Sequence, residues 1–287
     1  MDISDQAFEA ARYVSRLFPP DQANIVLFHV ISAVPENFWD IEKEPLYPSN
    51  MNATSAWKIE QNKDIQEFME KARQLFLNRN FSKNMVSINI KKRKKGIARD
   101  IAHESGHNYN GVVVGRWGRS LLKDYLWGNV ANKLIGRLTH IPLCVVGGTP
   151  KIGKMLVALD ASEGAMRAVD YVAGMMSSAD WEITIFHAIR DLDGNELQKG
   201  EKAMTAVFEE ASSRLAKAGC NRSRIATRLV TGVPSRAGAI IGEVIKGDYG
   251  TIVVGRRGLS DVEEFAMGRV SNKVIQMARE MAVWVVA

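Results

Sequence analysis

Cysteine is scarce in this chain, since only Cys144 and Cys220 occur among 287 residues. Two isolated thiols exclude a disulfide framework, and neither belongs to a spacing typical of a zinc site. We therefore expect no structural metal and a reducing, cytoplasmic location. Long apolar runs are missing too, because none approaches the ~20 residues that a membrane helix needs. The polar, acidic start, residues 1–5, is not that of a signal peptide.

The composition is that of a globular protein with a substantial core. Hydrophobic residues make up 46% and charged residues 24% of the chain. A length of 287 residues predicts about two domains. The net charge of +6 favours anionic partners and by itself leaves nucleotides, nucleic acid and acidic lipids open.

The chain contains an internal repeat. Residues 2–8 match residues 160–166 at an offset of 158, and Phe28-His29 matches Phe186-His187 at the same offset. At a later glycine motif the offset falls to 140, so the first copy carries 18 additional residues. They fall in the stretch Val34 to Trp57, which we predict to be a long loop, either mobile or functional.

The glycine motif occurs once in each copy. Gly115–Gly118 and Gly255–Gly258 each follow a Val-rich run, and nine residues separate each from a third glycine, Gly128 or Gly268. The first two glycines let the chain turn tightly off a strand and let backbone N–H groups approach a ligand. The third begins a helix, whose N-terminus favours anions. The motif therefore predicts a phosphate-binding loop, although a tight turn without a ligand has the same sequence.

Strand and helix patterns alternate along both copies. In the second copy we predict strands near residues 154–159, 183–188, 223–230, 251–254 and 282–286, with helices between them. This alternation predicts an α/β fold of two tandem Rossmann-like domains, each with a parallel doubly wound sheet. We place the domains at residues 1–147 and 154–287, with a linker at 148–153. Ligands in such sheets bind at the carboxyl edge of the strands.

The first copy has one defect. Met1 aligns with Leu159, so nothing in this chain corresponds to the strand before Asp160. Either the natural start lies upstream, or the first sheet lacks a strand. Asp2 would then lie at a frayed terminus.

Several of these features together resemble one known family. In the second copy, the first strand is followed by the acidic Asp160, the next strand ends in Phe186-His187, and the spaced glycines lie at Gly255–Gly268. Apolar closing strands follow in both copies, at residues 141–146 and 282–286. Both halves resemble universal stress proteins. The resemblance implies five parallel strands with the first one central. It also implies that one branch of the family binds ATP and another does not.

In the binding branch, the resemblance implies that the early Asp contacts adenine, that the glycine loop holds ribose and phosphates, and that a Ser or Thr after the third glycine assists. The second-half residues carried over are Asp160, Gly255, Arg256, Gly258, Gly268, Arg269, Val270 and Ser271. The first-half residues are Asp2, Gly115, Gly118, Gly128 and Asn129. The ligand would be ATP or another adenine nucleotide, with or without Mg.

The sequence departs from the family at the Ser/Thr position, where Asn129 and Arg269 stand. Asn129 can still donate a hydrogen bond. Arg269 could pair with a phosphate, fill the pocket or turn outward. Family members also pair through their last strands. Here strands 141–146 and 282–286 are expected to pair within one chain as a pseudo-dimer, and a homodimer stays open.

We therefore predict a stress-response or regulatory protein that binds an adenine nucleotide in at least one domain. The alternative is a nucleotide-free module that binds unknown protein partners through its paired sheets and long loop. No nucleophile–base pair or metal-binding carboxylate cluster suggests an enzyme, although a slow ATPase stays open.

The basic run Lys91–Lys95 is interpreted as a solvated strand end and not a nucleic-acid patch, because no aromatic residues interleave it.

Other local patterns have simpler interpretations. His103–His107 matches the zinc-protease motif, but Gly106 should end the helix that the motif needs. Residues 148–155 nearly match a phosphate loop and are better explained as the linker. His29 and His187 are interpreted as hydrogen-bonded strand-end residues. Asp160 could be a helix N-cap instead of an adenine contact. The arginines at 256 and 257 are interpreted as solvated loop charges.

Overall fold

The computed structural model describes residues 1–31, 50–116, 129–176, 180–190, 194–258 and 267–287. The first half comprises α1 (Asp5–Leu17), β1 (Ile25–Ile31), α2 (Asn50–Leu77), β2 (Val86–Lys92), α3 (Ile97–Glu104), β3 (Val112–Gly115), α4 (Asn129–Arg137) and β4 (Leu143–Val146). The second half comprises β5 (Lys154–Ala158), α5 (Glu163–Met176), β6 (Glu182–Arg190), α6 (Gly194–Lys217), β7 (Ile225–Val233), α7 (Arg236–Lys246), β8 (Thr251–Gly255), α8 (Arg269–Met277) and β9 (Ala282–Val286). A search of the described helices for one able to span a bilayer found none.

The main sheet has seven strands in the order β3-β4-β9-β8-β5-β6-β7. All neighbours are parallel except β4 and β9. The second half supplies five of these strands and places β5 at the centre of its part, which confirms the predicted doubly wound α/β arrangement. Strands β8 and β9 are buried along their whole length because helices cover both faces of the sheet.

Each face of the sheet has one hydrophobic core, and both halves contribute to each core. Buried residues of α1, α2, α5 and α6 form one core, and those of α3, α4, α7 and α8 form the other. The two halves therefore do not have separate interiors. The joint between them is the antiparallel pair β4–β9, in which Cys144 lies opposite Trp284. This pairing confirms the expected pseudo-dimer within one chain.

In the described part of the first half, no strand lies between β1 and β3. Among the described residues, β1 pairs only with β2, in a separate two-stranded sheet, and β3 pairs only with β4. The second half fills the corresponding place with β5, which lies between β6 and β8. Among the described residues, no strand of the first half therefore takes the place that β5 has in the second half.

Two predicted boundaries were wrong. The stretch Val34–Trp57 is not a loop to its end, because α2 begins at Asn50; residues 34–49 of that stretch lie outside the described residues. Between the second and third strands of the second half, the sequence pattern predicts a long helix from Glu201 to Ala218, and this helix, α6, instead begins at Gly194. In both cases a long helix extends further toward its N-terminus, since propagating an existing helix adds one hydrogen bond per residue without a new nucleation cost.

Candidate functional site

The second-half site lies where two adjacent parallel strands end. Strand β5 ends at Ala158 and β8 ends at Gly255, and the two strands pair directly. The loops that follow bring Gly258 against the Asp160 carboxylate, and a Cβ built at Gly258 would collide with Asp160 Oδ2. Gly258 thus allows a backbone approach that any side chain would block. The structure brings these two predicted residues together.

The other oxygen of Asp160 has a structural role. Asp160 Oδ1 accepts hydrogen bonds from the Ser162 hydroxyl and from the Ser162 backbone N–H, the latter at 3.1 Å. The Ser162 Oγ in turn accepts the Ala165 N–H at 3.2 Å, so Ser162 caps α5. The interpretation of Asp160 as the N-cap was therefore wrong by two residues. Asp160 orients the capping serine and keeps its second oxygen at the loop.

The first half repeats this arrangement at its N-terminus. The Ser4 hydroxyl donates to Asp2 Oδ1 at 2.5 Å and accepts the Ala7 N–H at 3.1 Å. Asp2 therefore shares with Asp160 the hydrogen bond from the hydroxyl of the serine that caps the following helix. A terminal position alone does not loosen it, because the cap of α1 fixes the serine it contacts.

Gly255 and Ser271 have internal packing roles. A Cβ at Gly255 would lie 2.8 Å from the carbonyl oxygen of Gly164, so the glycine permits the close approach of α5 to β8. The buried Ser271 hydroxyl donates to the Gly255 carbonyl at 2.7 Å and fixes α8 to the strand end. Gly115 matches Gly255, since its Cβ would lie 2.9 Å from the Gln6 carbonyl oxygen.

Helix α8 begins at the third glycine of the motif, as predicted. Gly268 is its N-cap, and the Gly268 N–H donates to the Arg256 carbonyl at 2.8 Å. A Cβ there would make only ordinary contacts, the nearest at 3.4 Å, so sterics do not require glycine. Arg269, at the first helical position, is exposed, and Val270 follows it half-buried. Of the three alternatives for Arg269, filling the pocket is excluded by this exposure.

Arg256 differs most from its predicted role. Its side chain is only 6% exposed, so the interpretation as a solvated loop charge was wrong. Its guanidinium donates to the carbonyls of Ile135, at 2.7 Å, and Leu138, at the C-terminal end of α4 in the other half. A cation at a helix C-terminus satisfies carbonyls that lack partners within the helix and interacts favourably with the helix dipole.

Arg116 makes the reciprocal contact from the first half. It is fully buried and donates to the carbonyls of Ile275, at 2.6 Å, and Ala278, at 2.7 Å, at the end of α8. Burial lowers the pKa of Arg116 to about 10 and also lowers the pKa of Arg256. This pair of reciprocal contacts between the halves was not predicted from the sequence. Its signal was the Gly-Arg dipeptide repeated in both motifs, Gly115-Arg116 and Gly255-Arg256.

The first-half site is described only in part. Asp2 and Gly115 lie in positions equivalent to Asp160 and Gly255, and Asn129 begins α4. Gly118 and Gly128 lie outside the described residues, so the first-half nucleotide contacts assigned to them stay predictions.

The two histidines are hydrogen-bonded as interpreted, but they lie within strands β1 and β6, two and three residues before the strands end. His29 Nδ1–H donates to the Met1 carbonyl at 2.6 Å, and His187 Nδ1–H donates to the Leu159 carbonyl at the same distance. Burial lowers the pKa of both imidazoles. Both therefore act as neutral hydrogen-bond donors that fix the chain entering the first helix of each half.

The zinc-protease motif has a different local structure. Helix α3 ends at Glu104, and His107 lies beyond it with its Nδ1–H on the Glu104 carbonyl at 2.9 Å. The Glu104 carboxylate instead accepts from Lys91 at 2.5 Å and Tyr109 at 3.0 Å. Within the described ranges, no three His, Cys, Asp or Glu side chains cluster in a way that could hold a metal. Residues 91–95 are all exposed, which agrees with a solvated strand end.

Comparison with known proteins identifies relatives of both halves. The family model described as the universal stress protein family matches residues 1–147 and again residues 151–286. Universal stress protein YxiE of Bacillus subtilis (strain 168) is 30% identical over 146 residues, which is 44% of this chain and 93% of that protein. A match of this length corresponds to one of the two halves.

Solved structures show the same fold. A universal stress protein from Archaeoglobus fulgidus DSM 4304 superposes with a TM-score of 0.67 at 19% identity, covering 100% of this chain and 96% of its own. The functionally unknown protein PA1789 from Pseudomonas aeruginosa PAO1 gives a TM-score of 0.51 at 17% identity, covering 92% and 93%. A universal stress protein solved in complex with cAMP is 24% identical, over 47% of this chain and 95% of its own, with a TM-score of 0.37.

Proposed function

This chain belongs to the universal stress protein family, and from that premise we propose that it binds an adenine nucleotide at the carboxyl edge of its second-half sheet. The proposed site extends from Asp160 across Gly258 to the start of α8. We propose a regulatory binding site and not a catalytic one. The membership itself rests on the matches to both halves.

The observation that carries the proposal is the contact between Gly258 and the Asp160 carboxylate. A turn without a ligand needs no carboxylate under its glycine, whereas a flat base can lie on the backbone and donate from its amino group to a carboxylate oxygen. Asp160 is also held in place by Ser162, so its position is fixed before a ligand arrives.

The phosphate end of the ligand would lie at the start of α8. Amides in the first turn of a helix have no partner within the helix, and the helix dipole favours an anion there. Gly268 leaves this end open to backbone approach, and Arg269 at the first helical position brings a cation. Arg256 and Ser271, carried over as nucleotide contacts by resemblance, are bonded within the protein. We therefore leave both out of the proposed set.

The second half is the better candidate because its sheet is continuous. Asp160 follows a paired central strand, and the loop after β8 begins from a fully buried strand. In the first half, β3 is half-buried throughout and has no partner on the side of β1 among the described residues. We expect one nucleotide per chain.

The test begins with protein purified without added nucleotide. The chain is denatured, the supernatant is analysed for adenine nucleotides by chromatography, and the stripped protein is titrated with Mg-ATP by calorimetry. Phosphate release is followed in parallel, and rapid turnover would contradict a purely binding role. Absence of both co-purified nucleotide and binding heat would favour the nucleotide-free interaction module.

Two matched variants locate the site. Asp160→Ala should weaken ATP binding by about tenfold or more, since hydrogen bonds to charged groups contribute about 1.5 to 3 kcal/mol. The control is Asp2→Ala, which removes the equivalent carboxylate from the first half and should leave the affinity unchanged. Equal losses in both variants, or none in either, would contradict a second-half site.

A further inference from the structure

Helix α8 is fixed at its two ends by different halves of the chain. Near its N-terminus, the Ser271 hydroxyl donates to the Gly255 carbonyl at 2.7 Å, which is a contact within the second half. At its C-terminus, the guanidinium of Arg116 donates to the carbonyls of Ile275, at 2.6 Å, and Ala278, at 2.7 Å. Arg116 belongs to the first half, so the position and tilt of α8 depend on both halves.

A second residue of the first half packs against the same end of α8. Gly147 directly follows β4, and a Cβ built there would collide with the Arg279 carbonyl oxygen. That Cβ would also lie 3.0 Å from Arg116 Nε, so Gly147 and Arg116 are neighbours. The Gly147 N–H donates to the Met281 carbonyl at 3.0 Å. The C-terminal end of α8 is therefore closely packed against the first half, and a glycine makes that approach possible.

The Arg116 guanidinium adds a positive charge to this contact. The side chain is fully buried, and burial lowers its pKa only to about 10, so it stays protonated at neutral pH. A cation at a helix C-terminus compensates the partial negative charge of the terminal carbonyls. The nine residues of α8 span about 14 Å, a distance over which charges still interact in a protein interior. Arg116 therefore makes the potential at the N-terminus of α8 more favourable for an anion.

This N-terminus is where the phosphates of the proposed nucleotide would lie. The base would lie elsewhere, at the Asp160 carboxylate and the backbone of Gly258, which belong to the loops after β5 and β8. A group that acts through α8 should thus affect the phosphates and leave the base unaffected. Arg116 is such a group, because its hydrogen bonds go to the opposite end of the helix.

We propose that Arg116 of the first half is a positioning residue for the nucleotide of the second half, and that it strengthens phosphate binding through α8. The inference rests on the proposed function, since it concerns the same site. The Gly-Arg dipeptide of the first glycine motif, Gly115-Arg116, would then serve the site of the other half. Its counterpart Arg256 donates to the end of α4. The phosphate affinity of the second half is therefore set partly by the first half.

The test compares the binding of Mg-ATP and of adenosine by calorimetry, in the full wild-type chain and in two variants. Arg116→Gln removes the charge but keeps an N–H donor, and we expect its affinity for ATP to fall about fivefold or more. Its affinity for adenosine should change by less than about twofold, since adenosine has no phosphate. Arg116→Lys keeps the charge and should retain most of the ATP affinity.

The matched control is Arg12→Gln, which removes a positive charge from the same half. Arg12 pairs with Glu9 within α1 at 2.7 Å, and its replacement should change both affinities by less than about twofold. Urea denaturation of each variant establishes that it is folded at the temperature of the titration.

The outcomes separate this proposal from the proposed function. A wild-type chain that does not bind ATP would refute the nucleotide site itself, and the role of Arg116 with it. Wild-type binding that Arg116→Gln does not weaken would refute the role of Arg116 alone. Equal losses for ATP and adenosine, or an equal loss of ATP affinity in Arg12→Gln, would also refute it, because neither result requires an effect on the phosphates through α8.

Discussion

The two halves of this protein share one architecture but differ in one strand. In the second half β5 lies between β6 and β8, and all of β8 is buried. In the described residues of the first half no strand pairs with β3 on the side of β1, and β3 is half-buried along its length. The strands β3 and β8 have similar Val-rich sequences, so their different burial comes from their neighbours. Strand burial in a parallel sheet is thus a property of the neighbouring strands as much as of the strand itself.

The joint between β4 and β9 gives the first half some of the packing contacts that a central strand would otherwise provide. Strand β4 extends the second-half sheet through β9, and both halves share each core. Tyr13 of α1 adds a buried polar contact, since its hydroxyl lies 3.0 Å from Thr251 Oγ1 and accepts from Trp284 Nε1 at 3.1 Å. These contacts tie the first half to the second.

The largest effect should come from the joint itself. Trp284→Ala removes a side chain that is 1% exposed and packs near Tyr171, with ring centroids 5.5 Å apart. We expect the free energy of unfolding to fall by about 3 to 5 kcal/mol, measured by urea denaturation. Cys144→Ala removes the residue opposite Trp284 and should cost clearly less, because it leaves a smaller cavity. Equal losses would show that the joint does not depend on the tryptophan.

Burial of the Met1 ammonium makes the stability of the folded chain depend on pH. Burial lowers the pKa of the Met1 ammonium from 8.0 to about 6. The folded state thus favours the neutral amine, so stability is full above pH 8 and falls as the pH drops toward 6, by about 2 to 3 kcal/mol at most. Urea denaturation across this range measures it.

The control for this pH effect is acetylation of Met1. It should remove the loss between pH 8 and 6 and leave the part that comes from His29 and His187, whose pKa values burial also lowers. A pH profile that acetylation does not change would contradict a buried terminal ammonium.

The two reciprocal arginines, Arg116 and Arg256, should contribute equally to the free energy of unfolding. Arg256→Met and Arg116→Met each leave two buried helix-end carbonyls without a donor, and we expect each to lower the free energy of unfolding by about 1 to 3 kcal/mol. The exposed Arg269→Met should change it by less than about 0.5 kcal/mol. A large loss for one buried arginine and none for the other would show that the interface is not reciprocal.

The smallest effect should come from Tyr13→Phe. It leaves the Trp284 N–H and the Thr251 hydroxyl without their buried partner, at an expected cost of about 1 to 2 kcal/mol. Tyr171→Phe is the matched variant in the second half, where the hydroxyl lies against Gly111 and not in this hydrogen-bonded group. Thermal unfolding of both variants should show the larger decrease for Tyr13→Phe.

Most features of the fold that could be predicted from the sequence followed from the internal repeat. Equal spacing placed Asp160 and the glycine loop at one sheet edge and paired the closing strands, because these depend on local pattern and topology. The role of Arg256 could not be predicted in this way, since its partners Ile135 and Leu138 lie in the other half and are backbone carbonyls that no residue type marks. The Ser162 cap and the contact of Gly258 with Asp160 depend on the detailed geometry of the loops, which the spacing of the motif residues does not determine.

The reciprocal arginines have a consequence for how the molecule moves. Arg256 is the first residue of the loop that contains Gly258, and its guanidinium donates to the end of α4 in the first half. Any rearrangement of that loop must either keep the guanidinium in place or release the opposite helix. The two halves are therefore mechanically coupled, and we expect the chain to unfold in a single cooperative transition.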